Sequence, residues 1–380
     1  MMKTMRFVTA LCLLAFTATV SARPDLVPAP PAIKARAYLL IDANSGRVLA
    51  EKKSMERIEP ASLTKLMTAW VVFNEIRNGT VSLDETTRVS KKAWKMKGSR
   101  MFIEVGKEVS IHDLLLGMIV QSGNDASVAL AEHIAGGEDA FAQLMNQHAK
   151  LLGMNDSHFV NATGWPDEDH YTTAHDLAIL TRALIREFPE YYSWYSIKEF
   201  TYNNIRQSNR NRLLWLDERV DGVKTGHTES AGFCLVTSAR QDNMRLISVV
   251  LGTDGENARV EATRKLLNYG FRFYDTFQLY KANEPLTEMR IWKGEIEMLP
   301  LGLTNDLYIT LPRGQRAKLD ASMTVEPEII APAFKGNTYG TVEVRLGDEV
   351  IATHPLVALQ DVPEGGLWQR FTDSIMLWFN

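Results

Sequence analysis

Residues 60–76 read PASLTKLMTAWVVFNEI, and this stretch predicts a buried helix that begins next to Ser62. Pro60 precedes the serine, and proline is common at the first position of a helix. Lys65 follows three residues later, so one helical turn places its amine on the same face as the serine hydroxyl. The apolar residues recur every three or four positions, which is the spacing of one helical face: Leu63, Leu66, Met67, Trp70 and Phe73.

The segments around this helix alternate between strand and helix patterns. Helical patterns fill most of the region between two groups of strands, and one more helical pattern follows the second group. This order predicts an α+β fold, in which an antiparallel sheet is flanked by helices, and not a βαβ repeat. The patterns are a hairpin at 38–41 and 48–50, strands at 220–228, 233–239 and 245–252, helices at 111–120 and 126–134, and the closing helix at 256–273.

Composition divides the chain into four parts. Lys3 and Arg6 precede a short apolar run and the small residues at 20–22, which predicts a cleaved signal peptide at residues 1–22 and therefore export. A membrane anchor is the alternative, but the apolar run is short for a span. We assign residues 23–283 to the helix-and-sheet domain, and alternating patterns between turn residues predict a small β-rich domain at 284–364.

Residues 365–380 predict an amphipathic helix. On a helix its apolar side chains fall on one side, and polar residues lie mostly elsewhere. This pattern is typical of a helix that lies at a membrane surface. A helix packed against the body of the protein is the alternative. The apolar side chains are Leu367, Trp368, Phe371, Ile375, Trp378 and Phe379.

Charge and composition exclude several function classes. The formal net charge of −4 gives no sign of a nucleic-acid partner. Cys12 would leave with the signal peptide, so Cys234 alone remains and an internal disulfide cannot form. The eight histidines show no His-Glu-x-x-His or similar ligand spacing, so we predict neither a metal nor a cofactor.

Three short motifs occur in order along the chain: SLTK at 62–65, SGN at 122–124 and KTG at 224–226. Each is weak alone, but together they match the set that penicillin-binding proteins and class A β-lactamases share. A serine hydroxyl needs a base before it becomes a good nucleophile. Lys65 can supply that base if burial or a nearby cation lowers its pKa. A simple N-cap role is the alternative for Ser62.

The second motif lies at a break between two helical patterns. There, the Ser122 hydroxyl can relay a proton toward the leaving amine. Asn124 can bind a substrate amide or hold Lys65 in place.

The third motif lies on a predicted strand, where alternate side chains face the same way. Lys224 and Thr225 can bind a terminal carboxylate, and the charge of Lys224 can lower the pKa of Lys65. Gly226 leaves room for a substrate backbone at the strand edge. The backbone N–H groups of Ser62 and His227 are the candidate donors to the developing oxyanion.

The sequence resembles the low-molecular-mass D-Ala-D-Ala carboxypeptidases among penicillin-binding proteins, which are SxxK serine peptidases that trim bacterial peptidoglycan. The resemblance covers nearly the whole chain, including HYTTAHD at 170–176 and DGVKTGHT at 221–228. It implies a β-lactamase/transpeptidase-like domain with a five-stranded antiparallel sheet. It also implies an arginine that assists carboxylate recognition, for which Arg210 is favoured over Arg212.

The resemblance further implies the partners and the location of the protein. The substrate would be the peptidoglycan stem pentapeptide, and β-lactam antibiotics would be covalent inhibitors. The mature protein would be periplasmic and attached to the outer face of the inner membrane through its C-terminal helix.

Two other functions compete with this interpretation. In a serine β-lactamase, Glu168 would activate water, but the asparagine expected four residues after that glutamate is missing, and Gly123 replaces the aspartate of class A enzymes. A non-catalytic peptidoglycan-binding protein is less favoured, because every hydroxyl and charged group needed for acyl transfer is present.

Overall fold

The computed structural model describes residues 27–378, so the predicted signal peptide at residues 1–22 lies outside the described residues. The elements of the N-terminal domain follow one another as β1 (Ala37–Asp42), β2 (Val48–Lys52), α1 (Lys65–Arg77), β3 (Thr86–Arg88), α2 (Lys91–Trp94), β4 (Glu108–Ser110), α3 (Ile111–Val120), α4 (Asn124–Ala135), α5 (Glu138–Leu152), α6 (Ala174–Glu187), α7 (Pro189–Tyr192), β5 (Glu199–Tyr202), β6 (Ile205–Ser208), α8 (Leu213–Leu216), β7 (Val220–Thr228), β8 (Gly232–Gln241), β9 (Met244–Thr253) and α9 (Glu256–Phe273).

An antiparallel five-stranded sheet organises this domain, in the order β2-β1-β9-β8-β7. The predicted hairpin is β1–β2, and the predicted strand at 220–228 and helix at 256–273 are β7 and α9. Because β7 is an outer strand, one of its edges has no strand neighbour within the sheet. The structure therefore confirms the predicted α+β fold and leaves a strand edge open beside the serine motif.

Separate apolar cores cover the two faces of the sheet. Successive residues of a strand point to opposite faces, so Leu39 joins the core that contains α1, whereas Leu40 joins the core beneath α9. Helix α1 is buried on all sides from Lys65 to Asn74. Because a helix that is apolar all round belongs in an interior, α1 holds the serine motif at the centre of the domain.

The C-terminal part of the structure is mostly β-strand, as predicted. Its largest sheet has six strands in the order β14-β16-β17-β12-β11-β15, and β10 pairs with β13 in a second sheet. The elements are β10 (Tyr274–Tyr280), β11 (Pro285–Trp292), β12 (Met298–Gly302), β13 (Leu307–Pro312), β14 (Leu319–Val325), β15 (Ile329–Ile330), β16 (Thr338–Leu346), β17 (Glu349–Ala358) and the terminal helix α10 (Leu367–Met376). We call residues 274–364 the β-rich domain; its first strand begins before the predicted boundary at residue 283.

A buried carboxylate joins the two domains. Asp42, at the end of β1, is fully buried and accepts hydrogen bonds from the backbone N–H of Ser45 (2.7 Å) and the hydroxyl of Thr276 (2.8 Å). Thr276 in turn contacts the hydroxyl of Thr310 at 2.8 Å. A buried polar group is stable only when it is hydrogen-bonded, so this network fixes how the β-rich domain is attached.

No helix among residues 27–378 has the length and apolar character needed to cross a membrane.

Candidate active site

Ser62 lies on a short 3₁₀ helix, Ala61–Thr64, that leads into α1. The predicted α-helix thus begins three residues later than the sequence indicated. Since a 3₁₀ helix has three residues per turn, Ser62 and Lys65 still fall on one side. The Nζ of Lys65 lies 3.0 Å from the Oγ of Ser62, as the motif spacing predicted.

Lys65 is buried, with 1% of its surface exposed, and its amine has two further partners. Nζ donates to the Oδ1 of Asn124 at 2.7 Å and to the backbone carbonyl of Thr163 at 2.6 Å. Burial lowers the pKa of Lys65 to about 7; the Asp125 carboxylate opposes this shift and the Arg210 guanidinium adds to it. A large share of Lys65 is therefore a neutral amine near neutral pH.

The hydrogen bonds around Lys65 suit a base. A neutral amine has two N–H donors and one lone pair, whereas the Thr163 carbonyl and the Asn124 Oδ1 can only accept. When both donors bind these acceptors, the lone pair faces the hydroxyl of Ser62. The Nδ2 of Asn124 donates to the carbonyl of Lys97 at 2.7 Å, which fixes the amide with its oxygen toward Lys65.

Ser122 lies at the predicted helix break, between α3 and α4. Its backbone φ is +65°, a conformation that is uncommon for a residue with a side chain. Its Oγ is buried and has no hydrogen-bond partner within the described part of the protein. Ser122 and Ser62 line the same cleft, which has a volume of about 910 Å³. The Ser122 hydroxyl is thus held in the cleft with its hydrogen-bonding capacity unused.

Lys224 and Thr225 are buried on the edge strand β7. Burial, together with the cations Lys65, Arg210 and Arg259, lowers the pKa of Lys224 well below its usual range. Burial is the main cause of the lowered pKa of Lys65, and the charge of Lys65 is among the causes that lower the pKa of Lys224. The effect of the Lys224 charge on Lys65 stays a prediction.

Two glycines bring β7 and the loop after α5 against the Ser62 turn. A Cβ at Gly226 would lie 3.0 Å from the carbonyl oxygen of Pro60. A Cβ at Gly164, whose φ is +81°, would lie 1.7 Å from the carbonyl oxygen of Ala61. No other residue type permits this second approach. The Ser62 turn is therefore packed between two backbone segments, and its position depends on both.

His227 and Arg210 also line the cleft, whereas the buried Lys224 is not among its lining residues. The exposed His227 ring packs against Phe233 in a tilted arrangement, with ring centroids 3.9 Å apart. Arg210 donates from Nε to the carbonyl of Gln121 at 3.2 Å, next to the SGN motif. Arg212 donates instead to the Oδ1 of Asn257 on α9 and does not line the cleft. Of the two candidate arginines, the structure places Arg210 at the site.

Arg259 lines the cleft and was not identified from the sequence. Its side chain is buried on α9, and Nη1 donates to the carbonyl of Gly226 at 3.3 Å. No motif surrounds it; the only signal in the sequence is a cation within a helix that also carries apolar residues. It adds a positive charge on the side of the cleft formed by β7.

Asp125, next to the SGN motif, was missed as well. Its carboxylate accepts from the backbone N–H groups of Met101 (3.0 Å) and Phe102 (2.9 Å), while the N–H of Asn124 donates to the carbonyl of Ser99 at 2.7 Å. These bonds hold the segment that carries Ser99, which lines the cleft.

His170 supports the Ser62 turn from behind. The N–H of Val160 donates to its Nδ1 at 3.2 Å, so Nε2 carries the proton and donates to the Oγ1 of Thr64 at 2.8 Å. Thr64 Oγ1 in turn donates to the carbonyl of Ala61 at 2.9 Å. Burial lowers the pKa of His170 to about 4, so the ring is neutral at physiological pH. The ring therefore has a structural role, since its hydrogen bonds hold the turn that carries Ser62.

Comparisons with known proteins match both domains. The sequence profile of the D-alanyl-D-alanine carboxypeptidase family (peptidase S11) matches residues 25–255, and that of the penicillin-binding protein 5 C-terminal domain matches residues 274–364. Over 96% of its length the chain is 42% identical to D-alanyl-D-alanine carboxypeptidase DacC of Escherichia coli K12, 93% of which is covered. It is 40% identical to DacA of the same organism, over 100% of this chain and 97% of the relative.

Solved structures agree with these matches. Penicillin-binding protein 5 from Haemophilus influenzae superimposes with a TM-score of 0.84 at 39% identity, covering 89% of this chain and 100% of that structure. Penicillin-binding protein D2 from Listeria monocytogenes in the ampicillin-bound form gives a TM-score of 0.58 at 31% identity, over 63% of this chain and 98% of that one. On this evidence the chain belongs to the D-alanyl-D-alanine carboxypeptidase family of serine peptidases.

Proposed function

We propose that this protein removes the terminal D-Ala from peptidoglycan stem pentapeptides through an acyl-enzyme on Ser62. The observation that carries the proposal is the contact between Lys65 and Ser62: a buried amine 3.0 Å from a hydroxyl in a cleft, with its pKa lowered to about 7. An amine with that pKa accepts a proton near neutral pH, which is what a general base for a serine nucleophile requires.

Acylation begins when neutral Lys65 takes the proton of Ser62. The Oγ attacks the carbonyl carbon of the penultimate D-Ala, and a C–O bond forms while the carbonyl oxygen becomes an oxyanion. The backbone N–H groups of Ser62 and His227 hold that oxyanion, since preorganised donors stabilise charge that develops in the transition state.

The tetrahedral intermediate then collapses and the C–N bond to the last D-Ala breaks. Lys65, now protonated, returns its proton through the Ser122 hydroxyl to the departing amine. The unused hydrogen-bonding capacity of Ser122 supports this relay. Water then attacks the ester and releases the shortened peptide, with the Ser62 proton restored.

The substrate carboxylate binds on the β7 side of the cleft. Lys224, Thr225 and Arg210 contact it, and Asn124 holds Lys65 or a substrate amide. Burial lowers the pKa of Lys224, and an incoming carboxylate offsets the unfavourable burial of its charge. The open edge of β7 leaves room for the peptide backbone beside Gly226.

A β-lactam carries a similar carboxylate next to a reactive carbonyl and acylates the same serine, which makes β-lactam antibiotics covalent inhibitors.

The β-lactamase alternative has less support. A residue that activates water must come within hydrogen-bond reach of the acyl-enzyme. Glu168 is exposed and does not line the cleft with Ser62.

The protein acts at the periplasmic face of the inner membrane, to which α10 attaches it. Supporting this, α10 exposes a face of large apolar residues that nothing in the described part of the protein covers: Leu367 (86%), Trp368 (78%), Phe371 and Ile375. Apolar burial in the lipid interface drives binding of such helices.

Release of D-Ala from a pentapeptide that ends in D-Ala-D-Ala, measured beside turnover of benzylpenicillin, tests the proposed activity. Wild type should release D-Ala and should not turn over the penicillin rapidly. Lys65→Ala should lose D-Ala release, whereas Lys150→Ala, which removes an exposed lysine on α5, should retain it. Rapid penicillin turnover would favour the β-lactamase, and an active Lys65→Ala variant would contradict the assigned base.

A further inference from the structure

The β-rich domain exposes a second apolar segment beside the terminal helix. In residues 329–334, IIAPAF, the side chains alternate between buried and exposed. Ile329, Ala331 and Ala333 are buried in the core of the domain. The exposed residues between them are all apolar: Ile330 (46% exposed), Pro332 and Phe334 (56%). We call residues 330–335 the apolar loop; Lys335 is its exposed last residue.

The apolar loop and the helix α10 are attached to the same corner of the domain. Ile330 pairs with Trp292 at the end of β11, and the N–H of Ala331 donates to the Trp292 carbonyl at 2.9 Å. The next residue, Lys293, donates its N–H to the Oδ2 of Asp373 on α10 at 2.6 Å. One strand end thus holds the loop through Trp292 and the helix through Lys293.

The segment that leads into the helix also contacts the loop. Ala333 and Val362 exchange backbone hydrogen bonds of 2.9 and 2.8 Å, and Gly365 donates to the carbonyl of Lys293 at 2.7 Å. The loop is therefore tied to the residues on which the helix begins.

The orientation of α10 is fixed by its polar side. Asp373 is buried, and its Oδ1 lies 3.6 Å from Arg290, in addition to the bond with Lys293. Arg290 also covers the Trp292 ring at 3.9 Å. With Asp373 turned toward the domain, the apolar side of the helix is left exposed. Exposed apolar patches of this kind mark interaction surfaces.

We propose that the apolar loop is a second membrane contact, which inserts Ile330, Pro332 and Phe334 into the lipid interface beside α10. This proposal rests on the membrane attachment in the proposed function. A lipid surface is the expected partner, because the loop is attached at the same corner of the domain as α10. The exposed tryptophan and phenylalanine residues of that helix are typical of an interfacial helix. A lysine next to a phenylalanine adds a cation at the headgroup level.

Binding of the mature chain to vesicles of phosphatidylethanolamine and phosphatidylglycerol tests this proposal by co-sedimentation. The double variant Ile330→Ser with Phe334→Ser should partition about tenfold more weakly than wild type, because two half-exposed apolar side chains no longer leave water. The matched control Leu151→Ser removes an apolar side chain that is 83% exposed on the N-terminal domain and should bind as wild type does. Circular dichroism and thermal unfolding of each variant check that the β-rich domain is folded.

The outcomes separate the two proposals. If wild type does not bind the vesicles, the attachment through α10 fails, and the loop contact with it. If wild type binds and the double variant binds equally well, only the loop contact is overturned. A wild-type dimer in solution that the double variant loses, with vesicle binding unchanged, would assign the surface to a second copy of the chain and overturn the loop contact too.

A second measurement does not depend on the double variant. Phe334→Cys carrying a polarity-sensitive fluorophore should show a blue-shifted emission when vesicles are added, whereas the same label at Leu151→Cys should not. Cys234 is buried and should stay unlabelled in the folded protein. An unchanged emission at position 334 would contradict insertion.

Discussion

At the scale of single residues, the proposed mechanism depends on the groups that keep Lys65 uncharged. The motif spacing predicts Lys65 as the base, but three groups that shape its environment belong to no motif: the Thr163 carbonyl, the Arg210 guanidinium and the Asp125 carboxylate. These groups lie far from Lys65 in sequence and come near it only in the folded chain. The identity of the candidate base could therefore be predicted, whereas its pKa could not.

The pKa of Lys65 predicts how acylation depends on pH. In the proposed mechanism the neutral amine is the active form, and its fraction rises as pH increases through a pKa of about 7. The second-order rate of penicillin acylation should therefore fall about tenfold between pH 8 and pH 6. Stopped-flow or gel-based labelling across this range measures it.

Two neighbouring arginines provide the control for this pH profile. Arg210 lowers the pKa of Lys65, so Arg210→Gln should move the rising limb to higher pH. Arg212→Gln should leave the limb in place, because Arg212 contacts Asn257 on α9 instead. An unshifted pH profile in Arg210→Gln would show that Arg210 does not lower the pKa of Lys65.

At the scale of elements, strands and helices were predictable because their apolar residues follow periods of two and 3.6. The hairpin β1–β2, strand β7 and helix α9 were confirmed close to their predicted bounds. The short 3₁₀ helix at Ser62 was not predicted. It depends on long-range contacts, such as the bond between Thr64 and His170, that leave no local period in the sequence.

The close approach of Gly164 to Ala61 predicts a sharp effect of a single methyl group. In Gly164→Ala the new Cβ would lie 1.7 Å from the Ala61 oxygen, so the Ser62 turn must move. We expect a loss of about 3 kcal/mol in the free energy of unfolding and slow penicillin acylation. Urea unfolding and labelling rates measure both.

Gly153→Ala is the matched control for this substitution. Gly153 also has a positive φ, +79°, but a Cβ there would have no neighbour within 4 Å. It should lose only about 1 kcal/mol, the strain of the backbone conformation alone, with normal acylation. Equal losses in the two variants would mean that the contact with Ala61 is unimportant.

At the scale of the whole molecule, the domain order and the terminal helix were visible as changes in sequence pattern. The way in which the domains are joined was not, because the network of Asp42, Thr276 and Thr310 links residues more than 200 positions apart. The roles assigned to the site residues, and the attachment to the membrane, stay predictions.

Removal of residues 367–380 should abolish attachment to the membrane and leave catalysis intact. The truncated protein should be released into the soluble periplasmic fraction, since the exposed apolar face of α10 is lost. Hydrolysis of a soluble peptide should be unchanged, because no residue of α10 lines the cleft. Cell fractionation and an assay of D-Ala release check the two outcomes. Truncated protein that remains fully with the membrane would contradict attachment through α10.

Intact-mass spectrometry after addition of benzylpenicillin tests the central claim, that Ser62 is the acylated nucleophile, most directly. Wild type should gain the mass of one penicillin, and Ser62→Ala should gain none. A wild-type protein that forms no adduct while the drug stays intact, or an adduct that persists in Ser62→Ala, would contradict the account.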